Sequence, residues 1–270
     1  MSGLPFYATQ GQGDTAVFLL HGVGGGHAAF DTTTSVLAQQ GYRTIAWDAP
    51  GYGGSAPIEP LDMKGLADAL WRLVRHVGAK RNVILGHSMG GMIAQEAMGQ
   101  PAMAQSQTGP SAAIDGLILF ATSPSFGKPG GDWQREFLQS RFAALDAGLG
   151  MAGLAPLLVG GMMALGTPTR VRAAAIAMMS EVPEATYRAA LAAIVSFNRL
   201  ENLPNIRVPV LCLACNEDKT APPAVMEKMA GKMPAASYQC LSQAGHLGNL
   251  EQPVAFNAAV LQFLQKNFPV

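Results

Sequence analysis

This chain is poor in charge. Only 13% of its 270 residues are Asp, Glu, Lys or Arg, and the 18 basic and 18 acidic residues cancel. Without a basic surplus, neither nucleic acid nor an anionic membrane surface is indicated as a partner. With 49% hydrophobic residues, the composition predicts a buried core rather than disorder. Cysteine is also scarce. Cys212, Cys215 and Cys240 make an odd number, which fits reduced thiols and a cytoplasmic protein better than a disulfide framework. Cys212 and Cys215 have C-x-x-C spacing but lie inside the strand-like "VPVLCLACNED". With no second pair and no clustered His, a core role is expected and no metal site.

Two further absences narrow the choice. The opening "MSGLPFYATQ" has no cationic segment leading into an apolar one, so no secretory leader is expected. From Ala147 to Thr169 no charged residue occurs, long enough to cross a bilayer. Yet this stretch holds six glycines and two prolines, which in a helix interior cost about 1 and ~3 kcal/mol each. Short buried helices are the better reading, and no membrane span is expected.

What is present alternates. Apolar runs at 16–22, 44–51, 82–88, 116–123 and 209–215 read as buried strands, with a weaker one at 236–242. Helical patterns lie between most of them. In "PLDMKGLADALWRLVRHVGA", Leu66, Leu70, Leu73, Val74 and Val77 recur at steps of three and four and make one apolar face. "SMGGMIAQEAMGQ" and "LEQPVAFNAAVLQFLQKNF" read as further helices, the latter with Pro in its first turn. Such alternation predicts an α/β fold: a mostly parallel sheet covered on both faces. Between the fourth and fifth strands, some eighty residues carry only helical pattern. The expected organisation is a core of residues 1–123 and 205–270, interrupted by a helical lid over 124–204.

"VILGHSMGGM" stops a strand with G-x-S-x-G, the spacing of a nucleophile elbow. Ser88 would sit in a strained turn, with the following helix aiming unpaired N–H groups at a ligand. Met89 N–H is thus one candidate oxyanion donor. Val23, in "LLHGVGGGHAAF", is the other; that glycine cluster matches neither G-x-x-x-x-G-K-[ST] nor G-x-G-x-x-G, so a phosphate loop is not indicated. Asp218 in "CLACNEDKTAPP" and His246 in "SQAGHLGNLEQP" each follow a strand's carboxyl end, where active groups collect in such sheets. Of the other histidines, His76 falls on an amphipathic helix and His27 follows the glycine cluster. His87 would face away from the serine hydroxyl, and His21 would order the oxyanion loop. Glu217 and Asp48 compete for the acid, but Asp48 is better suited to holding its own glycine-rich turn. Within the lid, Trp133, Arg141 and Met162 are candidates for touching substrate, with plain lid packing or surface exposure as the alternative.

The string "HGVGGG…WDAPGYGGS…GHSMGG…NEDKTAPP…AGHLGNLEQP" resembles the α/β-hydrolase superfamily over essentially the whole chain. Within it, the sequence is similar to lid-bearing esterases and lactonases, 3-oxoadipate enol-lactonase-like proteins above all, through "GHLGNLEQPVAFN" and "LENLPNIRVPVLCLA". The lid is where it departs most. The resemblance implies an eight-stranded sheet, here with a shortened N-terminal hairpin. It also implies a Ser88–His246–Asp218 triad cleaving a small carboxylic ester or lactone without cofactor. Its partner is then a small molecule, with a homodimer left open. Carbon–carbon hydrolases of meta-cleavage products share fold and triad order but typically place Asn before the nucleophile and Trp after the triad His; His87 and Leu247 stand there. They remain an alternative, as does a cofactor-free perhydrolase or haloperoxidase.

Overall fold

The computed structural model describes residues 3–100, 113–127 and 132–270. Its centre is a sheet of seven strands: β1 (Tyr7–Gln10), β2 (Thr15–Leu20), β3 (Arg43–Trp47), β4 (Arg81–His87), β5 (Gly116–Phe120), β6 (Val210–Cys215) and β7 (Ala236–Leu241). They lie in the order β1-β3-β2-β4-β5-β6-β7. All neighbours are parallel except β1, which runs antiparallel to β3. β2, β5 and β6 are buried at every residue, as strands covered on both faces must be.

Covering helices follow their sequence signals. α1 (Asp31–Gln39) and α10 (Pro253–Asn267) pack on one face. α2 (Met63–Val77) and α3 (Met89–Met98) pack against each other on the opposite side. α2 starts where Asp62 accepts a hydrogen bond from Gly65 N–H at 2.7 Å, and ends at Gly78 in a left-handed conformation. Leu66, Leu70, Leu73, Val74 and Val77 are all buried, so the expected apolar face is the packed one. α8 (Pro223–Ala230) and the short α9 (Gly248–Glu251) also belong to the core.

The described part of the interval between β5 and β6 holds four helices, α4 (Asp132–Asp146), α5 (Gly150–Met162), α6 (Thr169–Ser180) and α7 (Glu184–Ser196), then a 3-10 turn at Leu200–Asn205. The uncharged 147–169 stretch, expected to form two or three short buried helices, is instead the single helix α5 with its flanking turns, and α5 leaves Leu157 exposed. Among the described residues no helix is long and apolar enough to cross a membrane.

Three expectations need correction. Among the described residues the sheet has seven strands, not eight: the N-terminal hairpin is reduced to the four-residue β1. β5 stops at Phe120 instead of reaching Ser123, because Ala121 has φ +45° and turns the chain out of the sheet. β3 likewise stops at Trp47, and Asp48–Gly51 form the turn beyond it.

The sheet order places the site. From β2 the chain crosses to β3 on one side and to β4 on the other, so β2 and β4 flank the switch point, with Leu20 paired to Gly86. The loop leaving Leu20 therefore lies beside the turn leaving His87. On the far side, Cys215 pairs with Leu241, which brings the turns after β6 and β7 together.

Candidate active site

Ser88 joins β4 to α3 with φ +51° and ψ −114°, a conformation that L-residues avoid. Two glycines make the turn feasible. A Cβ on Gly86 would lie 2.4 Å from the Gly90 carbonyl oxygen, and one on Gly90 would lie 2.2 Å from that of Leu20. Ser88 N–H donates to Phe120 O at 2.9 Å, and the Thr122 hydroxyl donates to Ser88 O at 2.7 Å. The backbone of the turn is therefore fixed from β5 while its hydroxyl faces the cavity.

The three residues expected to act together are together. His246 Nε2 lies 2.9 Å from Ser88 Oγ, and His246 Nδ1 lies 2.8 Å from Asp218 Oδ2. Asp218 Oδ1 accepts from Thr220 N–H at 2.7 Å and Ala221 N–H at 3.0 Å. Both carboxylate oxygens are thus engaged, and Asp218 and His246 are 3% exposed each, so bulk water does not compete for their mutual bond.

Val23 lines the cavity beside Ser88. Its carbonyl is tied by the Tyr52 hydroxyl at 3.1 Å, and Gly22 O accepts from His21 Nδ1 at 2.8 Å. His21 Nε2 in turn accepts from Ala49 N–H at 3.0 Å, so His21 staples the loop to the turn after β3. Met89 buries its side chain in the core and begins α3, which leaves its N–H at the unpaired start of the helix. Asp48 holds its own turn: Oδ1 accepts from His27 N–H and His27 Nδ1, Oδ2 from Gly54 N–H. Burial, the largest single influence, opposes its ionisation, yet those hydrogen bonds together keep its carboxyl below the usual range.

His87 behaves differently from expectation. It makes no hydrogen bond to Ser88, but it does not simply turn away. Its ring lines the cavity, packs 4.9 Å from the His246 ring, and donates from Nε2 to His246 O at 2.8 Å. Sequence reading missed this contact because its acceptor is a backbone carbonyl, to which residue identity gives no clue.

Burial keeps two of these rings neutral. It lowers the His21 pKa from 6.5 to about 4, against the opposing hydrogen bond to Gly22 O, and it pushes His87 well below 6.5. The unfolded chain takes up these protons near pH 6.5 while the folded chain refuses them, so folding stability is full above that pH and falls as pH drops towards 4. For His21 alone the loss at pH 4 is on the order of 3 kcal/mol. Thermal unfolding followed from about pH 7.5 to 4.5 should show Tm falling through this window, with a shallower fall in His21→Gln. An identical slope in both proteins would contradict the assignment of a buried neutral His21.

Above Ser88 lies a cavity of about 540 Å³. Trp133, Phe137 and Arg141 of α4 line it, as do Leu158 and Met162 of α5, Met178 and Met179 of α6, and Tyr187 and Leu191 of α7. All three lid candidates therefore reach it. Trp133 stacks with Phe126 and is 53% exposed, at the cavity's rim. The Arg141 guanidinium sits 5.0 Å from the Phe137 ring centre. Among the described residues no Asp or Glu lines the cavity; its formal charges are Arg141 and Lys219. Arg135, Arg188 and Arg199 of the same helical stretch are paired with carboxylates, whereas Arg141 has none among the described residues. Cys212 and Cys215 lie buried in β6, where burial raises the Cys212 thiol to about 12.

A parallel sheet whose switch point carries a strained serine, hydrogen-bonded to a histidine that a carboxylate holds, is the architecture of the α/β-hydrolase class. Residues 17–259 match the alpha/beta hydrolase family, and the chain belongs to it. BpoC of Mycobacterium tuberculosis H37Rv, whose name gives a non-heme bromoperoxidase activity as provisional, is 28% identical over 265 residues, covering 95% of this chain and 96% of that one. Among solved structures, an esterase from Thermogutta terrifontis superposes with a TM-score of 0.84 at 24% identity, over 97% of this chain and 93% of that one. The enol-lactonase from Burkholderia xenovorans LB400 gives 0.82 at 23% identity, over 96% of each chain. At these identities the two structures speak to the fold.

Proposed function

We propose that the protein is a serine hydrolase that cleaves a small carboxylic ester or lactone through an acyl-enzyme. The observation that carries this reading is the continuous line of hydrogen bonds from Asp218 through His246 to Ser88 Oγ. Asp218 fixes the His246 tautomer with the proton on Nδ1, leaving the Nε2 lone pair to take the Ser88 proton. Ser88 Oγ attacks the acyl carbon, and the N–H groups of Val23 and Met89 receive the oxyanion, each worth about 3 kcal/mol in the transition state. His246 then returns the proton to the leaving oxygen, and water repeats the cycle on the acyl-enzyme. No cofactor enters these steps. The helical stretch 124–204 serves as a lid that walls the apolar cavity, with Trp133, Arg141 and Met162 against substrate. An unpaired guanidinium in a cavity without acidic residues favours an ester or lactone that bears a carboxylate.

Two residues weigh against carbon–carbon cleavage. The His87 N–H is committed to His246 O, so only a lone pair remains for a ligand, and Leu247 offers an apolar wall. The bromoperoxidase name of one relative keeps a peroxide-dependent reaction as a second reading, since peroxide can replace water at the acyl-enzyme.

A substrate panel tests the proposal. Aryl acetates, aryl hemisuccinates and an enol-lactone should turn over, and a 2-hydroxy-6-oxo-dienoate should not. Arg141→Ala should raise KM for the hemisuccinate by about tenfold while leaving the acetate unchanged, the loss of one charge-assisted contact. A kcat/KM for the dienoate more than about a hundredfold above the best ester, ~2.7 kcal/mol in transition-state binding, would overturn the ester reading.

A further inference from the structure

The buried carboxylate of Glu251 takes no part in the mechanism above, yet its hydrogen bonds span two elements that it must hold together. Glu251 lies at the end of α9, five residues beyond His246, and is 9% exposed. One oxygen, Oε2, accepts from Gly245 N–H at 2.9 Å, in the loop that carries His246. The other, Oε1, accepts from Ala164 N–H at 2.7 Å and from the Thr167 hydroxyl at 2.6 Å, both just past the carboxyl end of α5. The same two segments meet again directly. His246 N–H donates to Met162 O at 2.6 Å, and a Cβ on Gly245 would lie 2.4 Å from that oxygen and 2.8 Å from Ala164 N. Gly245 is therefore glycine because the chain leaving α5 passes against it.

The backbone of His246 is thus held at both ends. Its carbonyl is fixed to His87, at the end of β4, and its N–H to the end of α5. α5 also walls the cavity through Leu158 and Met162. Any movement that lifts the end of α5 must break the bond to the His246 N–H or carry His246 with it. A displacement of 1 Å at a reacting group can cost about a hundredfold in rate.

We propose that Glu251 is a positioning residue that clamps the end of α5 to the His246 loop, so that docking of this helix and assembly of the Ser88–His246 pair are one event. Substrate then enters past the other helices, and an α5 that lifts leaves the base out of reach of Ser88. This rests on Ser88 and His246 being nucleophile and base.

Three proteins test it: wild type, Glu251→Gln and Thr167→Val. Glu251→Gln keeps the shape but replaces an acceptor with an NH2 group. Thr167→Val removes only one donor to the clamp, at a residue that does not line the cavity, and serves if Glu251→Gln does not fold. Amide hydrogen exchange should accelerate together in segments 160–167 and 243–248 of either variant, with α6 and α7 unchanged. kcat, and the rate at which an aryl phosphonate labels Ser88, should fall by the same factor, about tenfold or more in Glu251→Gln and less in Thr167→Val. KM should stay within about threefold of wild type. The proposal is overturned if exchange rises in one segment without the other, or if it rises in both while labelling and kcat keep wild-type values. A KM rise with unchanged kcat likewise assigns Glu251 to cavity shape and overturns it. The exchange readout needs no catalysis, so failure of wild type to label at Ser88 would count against the hydrolase reading and leave the clamp to be judged on exchange alone.

Discussion

Ser88→Ala is expected to lower kcat on the order of 10⁵-fold while the protein stays folded with Tm close to wild type. The magnitude reflects the part that Ser88 alone supplies. Its Oγ is the atom that His246 Nε2 faces at 2.9 Å, and among the described residues no other hydroxyl is placed there. Without it the remaining groups can only polarise a bound ester, which leaves a residual rate far below that of the acyl-enzyme route. Stability should change by less than about 1 kcal/mol, because the backbone of the turn is anchored through Phe120 O and Thr122 rather than through the side chain. Initial-rate kinetics on an aryl ester, with a circular dichroism melt of the same sample, check both parts. Turnover within tenfold of wild type would remove Ser88 from the mechanism.

Asp218→Asn should cost nearly as much, on the order of 10⁴-fold in kcat. The reason lies in the donors around the carboxylate. Thr220 N–H and Ala221 N–H both point at Oδ1, so an Asn would keep its carbonyl oxygen there and turn its NH2 towards His246. Nδ1 must then accept instead of donating, and the ring proton moves to Nε2, aimed at Ser88 Oγ. The base has become a donor to its own nucleophile. In the proposed mechanism Ser88 and Asp218 act through one imidazole, so the double variant should be no slower than Ser88→Ala alone. Additive losses in that double variant would indicate that Asp218 serves stability and not the His246 tautomer.

How much of this was legible in the sequence depended on the kind of signal. Five of the seven strands announced themselves as clear apolar runs, most plainly β2, β5 and β6, because residues covered on both faces leave little room for polar ones. The two edge strands read less clearly: β7 is half-buried or exposed at all but its last residue and shows only a weak run, and "YATQ" of β1, with four half-buried or exposed residues, carries none. That Ser88, Asp218 and His246 come together was legible because each follows a strand's carboxyl end, at once for Ser88 and within a short turn for the other two. The limits of β3 and β5 were not: Ala121 leaves the sheet through a positive φ, and β3 ends at Trp47, in stretches still rich in apolar residues. Least legible were the contacts that hold His246. His87 and Glu251 act on a carbonyl and on N–H groups, which every residue type carries, so neither partner could be recognised by its identity. Gly245 was the nearest sequence clue, and on its own it reads only as a turn.

The central claim is that Ser88 is a nucleophile activated by His246, and active-site phosphonylation measures this most directly. An aryl phosphonate or sulfonyl fluoride should add one label per chain with loss of esterase activity, and peptide mass mapping should place it on Ser88. The rate of labelling should fall by orders of magnitude in His246→Ala. A label on any other serine, or esterase turnover that survives complete labelling of Ser88, would contradict the account.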